Sequence, residues 1–479
     1  MESKRHGLLA LGAIAFLLIF WSPAIFIPYW QDDYGFLLQA REAASRHESW
    51  FSDFVSTSRS CFWRPLSVGL YWRFVEQTLN GDACAAHALN LVLLAASSAA
   101  VGWLVAALLR VRFPEIDARF GGILAGVLYG VHGARFLPVA WACGVQESFL
   151  ILFSALTLRF WLVAITADGA GGILAAAAIL PCAALAFLSK ETAIILPVLA
   201  MILAAWIGPN KRLARRTWLL GAALIAITGL WWLIHQRLVT QPPPEQYRMQ
   251  LGMNVLRNGA CLSLFLLNMP RETVRFVLTE HSLTAAIWGV TCVALQLGGC
   301  VVLWRVARDR IRRWDVCLGI VFLAVGLAPH LPMGWNCYEY YASMGLMAYA
   351  ILVGMAAQRT RWMWTGAAMI VLSSAIGVAG NYLLPYPSLI ARAHWSQRQL
   401  DIVREMRDAD PRAFQTPIYL NVEDPHKFLG MSVPGLAYTL GLRVNDFVPL
   451  PSAQNPPRPS STVLVVPAEG DVLLHATER

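Results

Sequence analysis

The stretch Gly7-LLALGAIAFLLIFWSPAIFI-Pro28, followed at once by Tyr29-Trp-Gln-Asp-Asp-Tyr-Gly-Phe-Leu37, decides the fold class. The first part carries no charge, and as a helix rising about 1.5 Å per residue it is long enough to cross a hydrocarbon core about 30 Å thick. It exceeds the apolar core of a secretory signal and ends without a small-x-small cleavage site, so it reads as an uncleaved signal anchor. The second part places two adjacent carboxylates, Asp32 and Asp33, where the chain leaves the membrane.

Similar apolar runs recur near 7–29, 85–109, 120–138, 148–165, 172–188, 192–208, 218–236, 283–304, 315–332, 341–357 and 363–383. Of 479 residues, 57% are hydrophobic and only 14% charged, which excludes a water-soluble domain. The fold class is an α-helical polytopic membrane protein with about eleven spans. A net charge of +9 would suggest nucleic acid in a soluble chain, but here its distribution argues against that partner. With a cytoplasmic N-terminus, the inner segments 1–7, 110–119, 209–217, 305–314 and 358–363 hold 16 Lys/Arg in 42 residues. The first outer loop, 30–84, holds five in 55. The excess of positive charge on inner segments sets the orientation.

An odd number of spans sends the tail outside. Two units are expected: a membrane module over 1–383 and a small outer α/β domain over 384–479, with strand-like stretches at Pro417–Asn421 and Thr462–Val466 and a Pro-rich connector near Pro449–Pro459. Within the first outer loop, 36–46 and 66–79 have apolar faces at helical spacing, as in amphipathic helices lying on a membrane surface; 251–278 is similar. The nine cysteines show neither a CxxC nor a zinc-ligand spacing. Cys61 and Cys84 flank an outer segment and would form a disulfide on an oxidising face.

Ionisable groups beside membrane spans cost free energy unless they are paired or used. On this topology Asp32, Asp33, Arg64, His87, His132, Arg135, Glu147, Lys190, Glu191, His330, Glu339 and Tyr340 all fall at outer ends of their spans. Lys190 is the most informative: the chain has four lysines against 34 arginines, and this one sits at a turn between two apolar runs. Its ammonium would hold a phosphate as a point charge, or snorkel to the interface beside Glu191. Arg64 would grip a phosphate or stack on Trp63 or Trp72. Either histidine would serve equally as a hydrogen-bonded structural group. One of Asp32 and Asp33 would cap the following helix, which leaves the other for chemistry.

Six motifs carry a resemblance: Gln31-Asp-Asp33, Trp63-Arg-Pro-Leu66, His87-Ala-Leu-Asn90, Val131-His-Gly-Ala-Arg-Phe-Leu-Pro-Val-Ala-Trp141, Leu188-Ser-Lys-Glu-Thr-Ala193 with Leu196-Pro197, and Tyr338-Glu-Tyr-Tyr-Ala-Ser-Met-Gly345. In this order they resemble the GT-C superfamily of membrane glycosyltransferases, closest to the protein O-mannosyltransferase branch and its tetratricopeptide-containing relatives, without the repeats. The resemblance implies a polyprenyl-phosphate sugar donor and transfer to a glycan, lipid or protein hydroxyl on the periplasmic or outer face of the inner (plasma) membrane.

In that family an acid of the first outer loop is the catalytic base or a metal-site acid. The resemblance therefore points to Asp33 or Asp32, with Asp33 favoured because relatives place the acid beside the helix start. Lys190, Arg64 and Arg135 are the candidates for the donor phosphate; His87, His132, Glu147, Glu191, Glu339 and Tyr340 are further polar candidates. No cofactor is required, although a divalent cation, Mg or Mn, would be held by Asp32, Asp33 and Glu147 if one is used. The competing readings are a transporter or flippase of a lipid-linked saccharide and a catalytically silent scaffold. A transporter needs charges near mid-bilayer, whereas these gather at one face.

Overall fold

The computed structural model describes residues 2–56, 62–208, 211–334, 337–384, 388–414, 416–423, 425–450, 462–467 and 471–476. Cys61 and most of the Pro-rich connector lie outside these residues, so the expected Cys61–Cys84 pairing and the connector fall there too.

The chain opens with α1 (Glu2–Trp21), followed at the membrane exit by α2 (Asp32–Ser45) and α3 (Tyr71–Thr78). Then come α4 (Ala83–Arg112), α5 (Ala118–Val131), the one-turn α6 (Leu137–Ala140), α7 (Val145–Thr166), α8 (Ala170–Ser189), α9 (Leu196–Ile207) and α10 (Lys211–Leu238). The second half holds α11 (Met253–Leu266), α12 (Arg271–Glu280), α13 (Leu283–Ala307), α14 (Arg313–Leu327), α15 (Ser343–Met355) and α16 (Arg361–Leu383). Side-chain caps set several starts: Asp82 accepts from the Ala85 amide at 2.6 Å and Asp117 from the Phe120 amide at 3.1 Å.

All eleven apolar runs are helical. Among the described residues eight helices are long and apolar enough to cross a membrane, and α5 with the segment Gly133–Ala140, a pair bent by 65°, makes a ninth if the two form one span. The other two runs, 192–208 and 341–357, form the short α9 and α15. Each is preceded by a 3-10 turn, Glu191–Ile195 and Glu339–Ala342. The candidate residues Lys190, Glu191, Glu339 and Tyr340 sit on or beside those turns.

The basic segments gather at one end. His6 and Arg359 both reach Asp117, at 3.1 and 3.0 Å, while Arg112 and the Trp206 indole reach Asp315. Arg216 pairs with Asp168, the acidic turn that interrupts the basic pattern. Helices α4 and α5 cross with backbones touching: a Cβ at Gly102 would lie 2.5 Å from the Gly122 carbonyl oxygen.

At the opposite end lies a four-stranded sheet of order β2-β1-β3-β4, with β1 (Ile418–Val422) parallel to β2 (Phe447–Leu450) and β3 (Thr462–Val466), and β4 (Leu473–Ala476) antiparallel to β3. The α18 helix (Pro425–Leu440) connects β1 to β2, as a parallel pair requires, and α17 (Leu389–Ala409) links the sheet to α16. Ile418, Leu420, Leu464 and Val466 point into a core shared with Leu400 of α17, Leu436 of α18 and Tyr34, Leu37 and Leu38 of α2. The apolar face of α2 is therefore covered by the tail rather than laid on lipid. Arg41 ties them further, donating to the Tyr438 carbonyl at 3.0 Å and pairing with Glu76, which also accepts from the Tyr438 hydroxyl. By contrast, Leu251, Met253 and Leu256 around the start of α11 are exposed, as expected of a helix on a membrane surface.

Candidate active site

The two aspartates have different environments. Asp33 is fully buried: its Oδ2 accepts from the Trp30 amide at 2.9 Å and its Oδ1 from the Cys143 amide at 2.8 Å. Burial pushes its carboxyl well above the usual range, against the opposing pull of these amides. Asp32, first residue of α2, is open to solvent at its surface yet walled in by protein, and desolvation raises its carboxyl too. Gln31, which precedes them, has a positive φ of 54°. Neither aspartate is the N-cap, which is Gln31; Asp33 instead reaches back to Trp30 and across to the start of α7.

That second contact organises the site. The turn Ala142–Gly144 and the α6 turn before it are held from three sides. Asp33 takes the Cys143 amide; Asn90 takes the Ala142 carbonyl at 2.9 Å while accepting from Tyr71; and His87 contacts the Val139 carbonyl at 2.8 Å. His87 and Asn90, three apart on α4, share one face, which accounts for their spacing. A Cβ at Gly144 would lie 2.6 Å from the Leu137 carbonyl oxygen, so only glycine fits there. The fixed turn starts α7 with Gln146 and Glu147 in its first turn.

Glu147 pairs with Lys190, whose ammonium also lies over the rings of Tyr340 and Tyr341 at 4.8 and 5.2 Å. Lys190 is the extended residue ending α8, and the preceding Ser189 carbonyl accepts from Ser67 at 2.6 Å, which fastens this turn beside Arg64. Arg64 binds Glu191 through Nε and Nη2 at 2.8 and 2.6 Å and donates through Nη1 to Gln146. The cations retain donors: Lys190 uses one of three on Glu147, and Arg64 has five. Around them stand Tyr338, stacked on Tyr340 and capped by Arg271 at 4.3 Å, and Trp141, whose indole donates to the Trp30 carbonyl. Glu339 is buried with one carboxylate oxygen unpartnered, and burial, partly opposed by Arg271, raises its carboxyl to about 7.

The remaining candidates lie deeper. Arg135 is fully buried and donates to the Ser343 hydroxyl at 2.9 Å; a lipid phosphate has no path to it. His132 is buried as well, accepting from the Ala134 amide through Nδ1 and contacting the Leu266 carbonyl through Nε2, while His330 stacks on Tyr341. A cavity of about 340 Å³ adjoins Arg64, bounded by Phe36, Asp53, Phe62, Gly69 and Arg73, but Asp32 and Lys190 do not line it.

The trio proposed for a divalent cation does not form a ligand set. Both oxygens of Asp33 are engaged by amides and Glu147 is engaged by Lys190, which leaves Asp32 alone. Among the described residues no group of three or more His, Cys, Asp or Glu could hold a metal ion.

Several neighbours escaped the sequence reading: Gln146, Arg271, Tyr247 and His235, which lies 4.0 Å from Glu191 with both ring nitrogens otherwise unpartnered. His235 satisfies the rule that selected the others, an ionisable group at the outer end of a span. Arg271 and Tyr247 carry no such signal, because they lie in connections between spans.

No family model and no curated protein matches the chain. Among solved structures it is similar to ArnT from Cupriavidus metallidurans in the apo state, at 15% identity with a TM-score of 0.53, covering 92% of this chain and 85% of that one. It is also similar to the same protein bound to undecaprenyl phosphate, at 14% identity with a TM-score of 0.55, covering 93% and 86%. The fold is of the GT-C type. At these identities the likeness is one of fold, and it does not carry the O-mannosyltransferase branch. In this GT-C-type scaffold the cluster of Asp32, Arg64, Lys190 and the tyrosines stands at the end opposite the basic segments, where the shortened α9 and α15 begin.

Proposed function

We propose that the chain is a glycosyltransferase that moves a sugar from a polyprenyl-phosphate donor to a hydroxyl acceptor. The observation that carries this reading is the division of labour among the acids. Asp33, Glu147 and Glu191 are engaged by amides, Lys190 and Arg64, whereas Asp32 is exposed with no side-chain partner among the described residues. An open carboxylate beside Asp33, whose turn leads into Gln146 and Glu147, the partners of Arg64 and Lys190, suits a single displacement. Asp32 takes the acceptor's hydroxyl proton, the acceptor oxygen bonds to the anomeric carbon, and the bond from that carbon to the phosphate oxygen breaks. The leaving polyprenyl phosphate gathers negative charge, which Lys190, Arg64 and Arg271 are placed to stabilise. The raised Asp32 carboxyl makes it the stronger base.

This reading is supported by the motif resemblance and by a fold shared with a structure bound to undecaprenyl phosphate. The positive-inside pattern turns the site toward the periplasm or cell exterior, in a multi-pass protein of the inner (plasma) membrane. A hexose, mannosyl in the branch the motifs resemble, is the proposed sugar, and a glycan, lipid or protein the acceptor.

The test is transfer of labelled sugar by the purified chain in proteoliposomes, with polyprenyl-phosphate hexoses and pentoses compared with the corresponding nucleotide sugars. Transfer only from a polyprenyl-phosphate donor is expected. Donor translocation across the bilayer without transfer would overturn the reading in favour of a transporter.

A further inference from the structure

A lipid-sized groove lies toward the other end of the molecule. Helix α1 is pinned at two points. Toward the site, the Trp21 indole donates to the Gly130 carbonyl at 2.9 Å and Leu17 packs on Gly130; at its tip His6 meets Asp117. Between these points the small side chains leave space between α1 and α4, α5 and α7 unfilled. The result is a groove of about 530 Å³, lined by Ala10 and Ala13 of α1, Ala99 and Ala106 of α4, Gly126 of α5 and Leu156 of α7. From His6 to Leu17 it runs roughly 16 Å along the helix.

The basic end of this groove is unneutralised. Arg110 and Arg119 line it, and one turn beyond Leu156 the Arg159 guanidinium lies flat on the Trp103 ring, 3.3 Å from its centroid, with Nε unpartnered. None of the three has a carboxylate partner among the described residues. Nearby acids are already engaged: Asp117 by His6 and Arg359, Asp315 by Arg112 and Trp206. Glu115, the other acid of this connection, forms no ion pair with them.

We infer that this groove binds an anionic glycerophospholipid of the cytoplasmic leaflet, with an acyl chain between α1 and α4 and the phosphodiester against Arg110, Arg119 and Arg159. An apolar slot between spans that ends in uncompensated arginines matches that lipid in both parts: the chain replaces void with contact, and the phosphate neutralises the cations. The inference rests on the membrane orientation and not on the transfer reaction, so each can fail alone.

The test is native mass spectrometry of the full chain in detergent, titrated separately with phosphatidylglycerol, phosphatidylcholine, undecaprenyl phosphate and inorganic phosphate. One phosphatidylglycerol retained per chain, in preference to the other three, is expected. Each of Arg110→Gln, Arg119→Gln and Arg159→Gln lowers its affinity roughly fivefold. Ala99→Trp, at an exposed position, fills the groove and abolishes retention while elution and thermal stability stay as in the wild type. Equal retention of phosphatidylcholine, preference for undecaprenyl phosphate, binding of phosphate alone, or full binding by Ala99→Trp would each overturn the proposal.

Discussion

Replacing Asp33 by Asn separates fastening from chemistry. The carboxyl of Asp33 receives two backbone amides on two oxygens in a fully buried place. An amide side chain offers one oxygen, so one N–H keeps its acceptor and the other meets an NH2 group that only donates. The lost bond is worth about 1.5–3 kcal/mol and the stranded amide costs about 1–3 kcal/mol, together roughly 2.5–6 kcal/mol. The loss falls on the turn Ala142–Gly144, and through it on Gln146 and Glu147. Melting of the purified protein, followed by size-exclusion chromatography after heating, should show a fall of at least about 5 °C for Asp33→Asn. Asp32→Asn, at an exposed position, should melt with the wild type. An Asp33→Asn protein that melts normally but turns over no donor would refute this reasoning and make Asp33 the base.

Lys190→Met leaves Glu147 buried without its cation and should cost about 3–5 kcal/mol, together with most donor turnover. The double variant Lys190→Met/Glu147→Gln should regain the melting temperature without regaining turnover, as heating curves and labelled-donor assays would show. Glu339 holds its proton to about pH 7 when folded, against 4.5 for the ordinary carboxyl. The folded state therefore binds more protons, and stability should fall as pH rises from about 4.5 through about 7 and level off above. In Glu339→Gln, melting across that window should lose this slope. Gly102→Val drives a branched side chain into the Gly122 backbone and should destabilise by about 1–3 kcal/mol in the same heating assay, while Ala99→Val on the exposed face of α4 should not.

Most span positions and the basic end were legible because both follow from local composition, a long apolar run and arginines kept on one side; the runs 192–208 and 341–357 read as spans too, yet they form short helices that start after a 3-10 turn. The gathering of Lys190, Glu191, Glu147 and Arg64 followed from the same logic. The different surroundings of Asp32 and Asp33 were not legible, because the amide that Asp33 accepts from lies 110 residues away at Cys143. Arg135 reads like a surface cation in sequence, yet the bend after α5 folds it inward onto Ser343. The amphipathic pattern of α2 fits lipid or protein equally well, and only the long-range contact with α18 identifies its cover.

The most direct test of the account is release of polyprenyl phosphate from a labelled polyprenyl-phosphate sugar by the reconstituted wild type and by Asp32→Asn. The account predicts that Asp32→Asn melts normally, binds donor normally and loses at least about 100-fold in turnover, because only the proton acceptor is missing. Turnover by Asp32→Asn at the wild-type rate would contradict it.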